Sequence, residues 1–199
     1  IDIAILYQTL MTSGNGYDYQ RGWRREVTDN NIPIVELLQD RITIPKETAF
    51  VLEGFGQDSD EDNQMTFSWE QNDASETSFW PPDFPPDTGP LFCSVDGDAN
   101  GNKRFFPTME SLLANEYFTS YLEKLPFASR EINMRLLVRD NDLYSGGFNY
   151  KNVQLNVDEN AGPFRVTSQY NIESWEVGFM ENITWDVANT NDPQSVNCS

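Results

Sequence analysis

Residues 131–157, which read EINMRLLVRDNDLYSGGFNYKNVQLNV, decide the fold of this chain. The first part of the stretch alternates between apolar and polar residues, and its apolar residues share one face: Ile132, Met134, Leu136 and Val138. The last part alternates in the same way, with Val153, Leu155 and Val157 on one face. A period of two residues is typical of a half-buried strand, and the polar, glycine-containing turn between the two parts joins them into a hairpin. The stretch therefore predicts two long antiparallel strands.

Shorter β patterns precede this hairpin. Residues 42–45 and 50–54 are short β-type runs separated by a polar turn, and residues 65–71 alternate strictly. Residues 72–104 contain two Pro-Pro pairs and several turn dipeptides, so they predict a long irregular region.

One helix and two further strands are predicted in the rest of the chain. Residues 108–115 favour a helix because Thr108 can cap its N-terminus and two leucines follow. After Gly162-Pro163, residues 164–167 and 182–187 predict strands.

Together these patterns predict a mostly β protein. We expect residues 31–158 to form an Ig/PKD/cadherin-like β-sandwich with a short helical insertion, and residues 163–199 to begin a second Ig-like sandwich. Residues 1–30 would be an N-terminal extension or the end of a preceding domain. Because the second segment is too short to close a sandwich alone, its partner strands would come from other domains of the same polypeptide or from another protein chain, by β-strand addition.

Composition excludes several classes of function. The chain has 199 residues, 13 Lys and Arg, 32 Asp and Glu and no His, which gives a net charge of −19. Without His, neither Ser-His-Asp nor Cys-His catalysis nor an HExxH zinc site can be built from this chain, and we expect no enzyme activity. So negative a field repels nucleic acid, whereas it suits hard cations such as Ca²⁺.

The compartment is predicted from several weaker signals. The sequence lacks any run of about 18 apolar residues, so we expect no membrane insertion, and it begins at Ile1, as a piece of a longer polypeptide would. Cys93 and Cys198 form no CxxC motif, and their spacing leaves open whether they pair. Acidity, the turn-rich β pattern and candidate calcium loops favour a secreted or cell-surface protein.

Several segments occur in the order used by one known family. The most specific are Phe-Ser-Trp-Glu-Gln at 67–71 and Trp-Asp-Val-Ala at 185–188. They are accompanied by Phe-Val-Leu-Glu-Gly at 50–54, Gly-Pro-Leu-Phe at 89–92, Arg-Phe-Phe-Pro at 104–107, Met-Arg-Leu-Leu-Val-Arg-Asp-Asn at 134–141 and Gly-Pro-Phe-Arg-Val-Thr-Ser at 162–168. With these segments, residues 30–199 resemble the accessory β-sandwich region of secreted bacterial zinc metalloproteases of the reprolysin-like class.

The resemblance implies a non-catalytic, extracellular accessory or adhesion-type segment. The catalytic domain, with its HExxH helix, would lie N-terminal to it, and the segment would act in spacing, in surface or substrate engagement, or in assembly. Residues 93–101 depart from the family pattern, which has a Ser/Thr/Pro-rich loop after Gly-Pro-Leu-Phe. No family role is therefore carried onto this loop.

Two acidic turns that follow predicted strands are candidates for calcium binding. Alternate carboxylates in a turn can converge on one ion, and Ca²⁺ takes six to eight oxygen ligands. A joint site would use five residues: Asp58, Asp60, Asp62, Asp140 and Asp142. The alternative is that these residues are solvated turn formers, chosen for hydrogen bonding to their own backbone.

Two further acidic segments are weaker candidates. Asp96, Asp98 and Asn100 match the front half of an EF-hand loop, but Pro107 stands where that loop needs a bidentate Glu, so Glu110 or another residue would have to replace it. Asp158 lies at the junction between the two predicted sandwiches and could bind a rigidifying Ca²⁺. An ordinary turn and a hydrophilic linker are the respective alternatives.

Exposed aromatic residues suggest another ligand. Trp80 and Phe84 lie among the prolines and could form a glycan-binding platform, or could cover the edge of a sheet. A carbohydrate-binding module is therefore one alternative function. A carboxylate-dependent hydrolase is another, although no pair of acids is singled out by the sequence.

Overall fold

The computed structural model describes residues 30–60, 64–74, 89–114, 123–143, 146–168, 174–192 and 196. The chain divides into two compact units, Ile1–Asn30 and Asn31–Ser199. Apart from Asn30, every described residue belongs to the second unit, which is mostly β, as the sequence predicts.

Ten strands and one short helix lie within the described residues. In chain order they are β1 (Ile34–Glu36), β2 (Arg41–Pro45), β3 (Phe50–Glu53), β4 (Phe55–Gln57), β5 (Thr66–Gln71), β6 (Lys103–Phe106), α1 (Met109–Leu113), β7 (Glu131–Arg139), β8 (Phe148–Asp158), β9 (Arg165–Val166) and β10 (Trp185–Asp186).

The largest sheet has four strands in the order β2-β8-β7-β5. The predicted hairpin is confirmed at its centre, where β7 and β8 pair antiparallel and Ile132 lies opposite Leu155. The strand β5 pairs antiparallel with β7, and β2 pairs parallel with β8. The predicted apolar face is buried, since Met134, Leu136 and Leu155 are fully buried, but Arg135 and Leu137 on the other face of β7 are buried as well.

The main core lies between this central sheet and the antiparallel β3–β6 pair. Buried residues of the central sheet form one cluster with Leu52 of β3 and Phe106 of β6. Three aromatic rings pack together there: Phe106 lies 5.0 Å from Phe50 and 5.0 Å from Phe92, measured between ring centroids. Such aromatic contacts add to the free energy gained by burying the rings. The two short strands β1 and β4 form a separate antiparallel pair.

The predicted helix is present as α1, which is separated from β6 by two residues, Pro107 and Thr108. Its N-cap is Thr108, whose Oγ1 accepts a hydrogen bond from the Ser111 backbone N–H at 3.4 Å, as the sequence predicts for a Thr in this place. In the parts of the chain that the structure describes, no helix is long and apolar enough to cross a membrane.

The predicted irregular region at 72–104 is shorter than expected, because β6 begins at Lys103. Within its described part, two isolated β-bridges fix the chain: Asp98 pairs with Phe67 at the edge of β5, and Phe92 pairs with Glu123. The backbone N–H groups of Leu91 and Phe92 also donate to Gln71 Oε1 at the end of β5, so the region follows the β5 edge of the central sheet. The strand β6 was not predicted, because it has only four residues and follows several turn dipeptides.

A buried ion pair, which the sequence analysis did not predict, ties this region together. The Arg104 guanidinium, on β6, donates to Glu123 Oε1 and, at 2.7 Å in each case, to the carbonyl oxygens of Trp69 and Cys93. Glu123 Oε2 accepts the Thr108 backbone N–H at 2.7 Å. Both charged side chains are at least nine-tenths buried.

The two strands predicted after Gly162-Pro163 are present as the short β9–β10 pair. They are joined to the preceding residues by hydrogen bonds, among them Phe164 N–H to Thr48 Oγ1 at 3.0 Å. The start of a second sandwich, and the division between 31–158 and 163–199, remain predictions.

Candidate functional site: the acidic end of the central sheet

Three turns that carry acidic residues lie at one end of the central sheet. At this end β5 begins, β7 ends and β8 begins, since Thr66 pairs with Arg139 and Arg139 with Phe148. We call it the acidic end and define it by six residues: Asp58, Asp60, Asp96, Asp98, Asp140 and Asp142.

Asp140 organises the turn between β7 and β8. Its side chain is fully buried, and both of its carboxylate oxygens accept the Gly147 backbone N–H at 2.8 Å. Its Oδ1 also accepts the Asp142 backbone N–H at 3.0 Å. This carboxylate therefore holds the hairpin turn closed, which is the turn-forming role that the sequence analysis left open as an alternative.

Asn141 connects this turn to the start of β5. It adopts a positive φ of 58°, a conformation that Asn tolerates better than most residues. Its Nδ2 donates to the Gln64 carbonyl oxygen at 2.7 Å and to Thr66 Oγ1 at 3.1 Å. The turn after β7 and the segment before β5 are thus in direct contact.

Asp58 and Asp60 form the second turn, directly after β4. Asp58 Oδ1 accepts the Asp60 backbone N–H at 2.9 Å, and the Asp60 carboxylate accepts both the backbone and the side-chain N–H of Asn31, at 2.6 and 2.9 Å. By contrast, Asp58 Oδ2 is a buried oxygen that has no hydrogen-bond partner among the described residues. An unpartnered buried carboxylate oxygen is costly unless a cation or a donor satisfies it.

The position of β4 places this second turn at the acidic end. A Cβ built on Gly56 would lie 2.8 Å from the Phe67 ring and 3.1 Å from Val138, so β4 lies over the beginning of β5 and the end of β7. Asp58 follows β4 by one residue.

The third turn is the candidate EF-hand-like loop. The Asp98 backbone exchanges hydrogen bonds of 2.9 and 3.1 Å with Phe67, and Asp98 Oδ1 accepts the Asn100 backbone N–H at 2.7 Å. A Cβ built on Gly97 would lie 3.4 Å from Thr66 Oγ1, so Asp96 also lies near the start of β5. One oxygen of this loop is therefore engaged in a local turn.

Asp158 lies at the opposite end of the central sheet, where it pairs with Pro45. Its Oδ1 accepts two hydrogen bonds from Asn160, one from the backbone N–H at 2.8 Å and one from the side-chain Nδ2 at 3.2 Å. The structure therefore separates this candidate from the other acidic residues.

The structure brings seven of the nine predicted metal-ligating residues to one end of the sheet, namely the six aspartates of the acidic end and Asn100, and it leaves Asp158 apart. Among the described residues, no group of three or more carboxylate or thiol side chains is arranged to hold a metal ion. Asp62, Trp80 and Phe84 lie outside the described residues.

Two amide side chains at this end were missed by the sequence analysis. Asn31 and Asn141 link the acidic turns to their neighbours. The signal for Asn141 was its position between two aspartates after a strand, where a residue with positive φ is common. Asn31 donates to Asp60, which lies 29 residues further along the sequence. A contact between residues so far apart leaves no local sequence pattern.

Comparison with protein-family models, with curated proteins and with solved structures finds no match to this chain. The site must therefore be interpreted from its own chemistry. Carboxylate, amide and carbonyl oxygens gathered at one end of a strongly acidic protein form an environment suited to a hard cation.

Proposed function

We propose that this chain is a non-catalytic accessory or adhesion-type segment of a secreted or cell-surface, metalloprotease-like protein, built on an Ig/PKD-like β-sandwich and stabilised by Ca²⁺. It would space other domains, engage a surface or a substrate, or hold an assembly partner.

The scaffold role is supported by the order of motifs and by the mostly β body. The motif segments at 67–71 and 134–141 contribute the paired strands β5 and β7, and the segment at 104–107 contributes Arg104 and Phe106 to the interior. These segments therefore contribute paired strands and buried side chains. Such contributions are consistent with a structural role.

The single observation that carries the calcium part is Asp58. Its Oδ2 is buried and has no partner in the part of the chain that the structure describes, and its turn lies beside two other acidic turns. Ca²⁺ bound there would be held by Asp58 together with oxygens of the neighbouring turns, and it would neutralise part of the negative charge at this end. Its contribution would be structural.

The test is thermal unfolding of the chain in Ca²⁺, in Mg²⁺ and in EDTA, at one fixed ionic strength. Constant ionic strength matters because a net charge of −19 responds to screening alone. Calcium at a hundredfold excess over its dissociation constant should stabilise the native state by about 2.7 kcal/mol. For a domain of this size that corresponds to a rise in Tm of roughly 5–10 °C.

Asp58→Asn is the diagnostic variant, and Asp158→Asn at the opposite end of the sheet is its matched control. We expect Asp58→Asn to abolish most of the calcium shift while keeping or raising Tm in EDTA, because the carboxylate whose Oδ2 lacks a hydrogen-bond partner is replaced by a neutral amide. We expect Asp158→Asn to keep the calcium shift. If Asp58 serves only the turn, Asp58→Asn will keep the calcium shift, because the Asn carbonyl oxygen can still accept the Asp60 N–H, and the calcium proposal fails. Hydrolysis of casein or of a polysaccharide by the purified chain would overturn the non-catalytic assignment.

A further inference from the structure

Among the described residues, no third strand pairs with β9 or with β10. The β9–β10 pair forms a sheet of two strands in which Val166 lies opposite Trp185. Because the Thr167 N–H donates to the Thr184 carbonyl oxygen at 2.8 Å, the neighbouring Val166–Trp185 pair is a non-hydrogen-bonded pair of the antiparallel ladder. The backbone N–H and C=O groups of these two residues therefore point outward, away from the partner strand.

The same pair has one apolar and one polar face. Thr167 and Thr184 lie side by side on the polar face, with their Oγ1 atoms 2.8 Å apart. Val166 and Trp185 lie on the other face, and each is 54% exposed.

Further exposed apolar residues lie in the same segment of the sequence. Residues outside the two strands that are also exposed are Phe164, Trp175, Val177, Phe179, Met180 and Ile183. Soluble proteins seldom expose so many large apolar side chains in one short segment unless it is an interaction site. A two-stranded ribbon is also marginally stable by itself and gains from a third strand and from cover on its apolar face.

Charge indicates the kind of strand that would fit. Asp186 of β10 lies opposite Arg165 of β9, and Glu181 lies four residues before Trp185. The chain as a whole carries a net charge of −19. A second copy of this chain would be repelled, whereas a segment with Lys or Arg at its ends would be attracted.

We propose that the outer edge of β10 binds an extended segment of a partner protein, which adds a strand beside Trp185 and carries alternating apolar side chains and basic ends. Main-chain hydrogen bonds would supply affinity, and the exposed Val166–Trp185 face would accept the alternating side chains, as in other strand-addition complexes. This inference goes beyond the proposed calcium-stabilised scaffold. It involves none of the residues of the acidic end, so the two can fail independently.

The experiment measures binding of a fluorescein-labelled peptide, Lys-Val-Thr-Val-Thr-Val-Lys with blocked ends, to the full chain by fluorescence anisotropy. We expect saturable binding that weakens as salt is raised. Trp185→Thr should weaken it by about tenfold or more, because it removes the central apolar contact, whereas Thr167→Ala on the polar face should leave affinity unchanged. Far-UV circular dichroism checks that both variants fold.

Two peptide controls separate the parts of the inference. Replacing the central Val by Pro removes a backbone N–H and disrupts the ladder, so binding should fall by about tenfold or more. Replacing both Lys residues by Glu should weaken binding at low salt. Equal binding of the Pro peptide, or equal binding to the Trp185→Thr variant, would overturn the proposal.

Other occupants give different results. If a second copy covers the face, sedimentation will show a concentration-dependent dimer that Trp185→Thr dissociates, which overturns the partner assignment. If further sequence of the same polypeptide covers it, a longer version of the chain will bind no peptide while the 199-residue chain does, and the proposal fails in that case too.

Discussion

Arg104 shows how much of this fold depends on one side chain. Its guanidinium joins the backbones of β5 and of the 89–102 region to Glu123 and stacks over the Phe106 ring, 4.6 Å from the ring centroid. Since both members of the ion pair are buried, removing one leaves the other charge without its partner in a medium of low dielectric constant.

We expect Arg104→Met to lower the free energy of unfolding by about 3–5 kcal/mol, measured by urea denaturation. The double variant Arg104→Met/Glu123→Met should be less damaged than Arg104→Met alone, because the stranded carboxylate is gone. Lys103→Met is the control: Lys103 is half exposed and lies 4.0 Å from Glu53, so its loss should cost less than about 1 kcal/mol. A cost for Lys103→Met equal to that for Arg104→Met would contradict this assignment.

Residue types alone predicted that the aspartates would cluster in turns, but not what each oxygen would bind. Asp140 and Asp98 both accept backbone N–H groups within their own turns, a use that sequence and spacing cannot separate from metal binding. The isolated Asp58 Oδ2 depends on burial by distant segments, and so it could be found only in three dimensions.

At the scale of the elements, a loop packs closely against the edge of β5. The 96–101 loop pairs Asp98 with Phe67 and brings Gly101 against the same residue. A Cβ built on Gly101 would lie 2.4 Å from the Phe67 carbonyl oxygen. The glycine at the sixth position of the EF-hand-like pattern is therefore explained here by the close approach of two backbones.

We expect Gly101→Ala to destabilise the protein by about 1–3 kcal/mol, because the backbone must move to admit the methyl group. Gly97→Ala in the same loop is the control, since its Cβ would have its nearest contact at 3.4 Å and needs little adjustment. Denaturant titration measures both. If the two variants are equally stable, the backbone at the edge of β5 accommodates the methyl group without cost and the prediction is wrong.

The strands were predicted with very different success. Strict alternation located β5, β7 and β8 because each has one face in the core and is long enough to show its period. The strands β1, β4 and β6 have three or four residues, too few for a period to appear. The parallel pairing of β2 with β8 joins segments more than a hundred residues apart, and local sequence does not encode a contact of that length.

At the scale of the whole molecule, the mostly β body was predictable because alternation, turn residues and aromatic content all agree. The distribution of exposed apolar residues was not. Val166 and Trp185 are apolar residues of predicted strands, and the structure leaves both half exposed. Their exposure depends on which other segments lie over them.

The parallel β2–β8 ladder has a mechanical consequence. Its five residue pairs run from Arg41–Gln154 to Pro45–Asp158, so tension applied at Arg41 and Asp158 shears all five pairs together, whereas tension at Arg41 and Gln154 peels them apart in turn. With cysteine handles at these positions in a Cys93→Ser/Cys198→Ser background, single-molecule pulling should give a several-fold higher rupture force for shear than for peeling. A spacer between domains on a cell surface would thereby resist stretching along its own chain direction, and equal forces in the two geometries would remove that advantage.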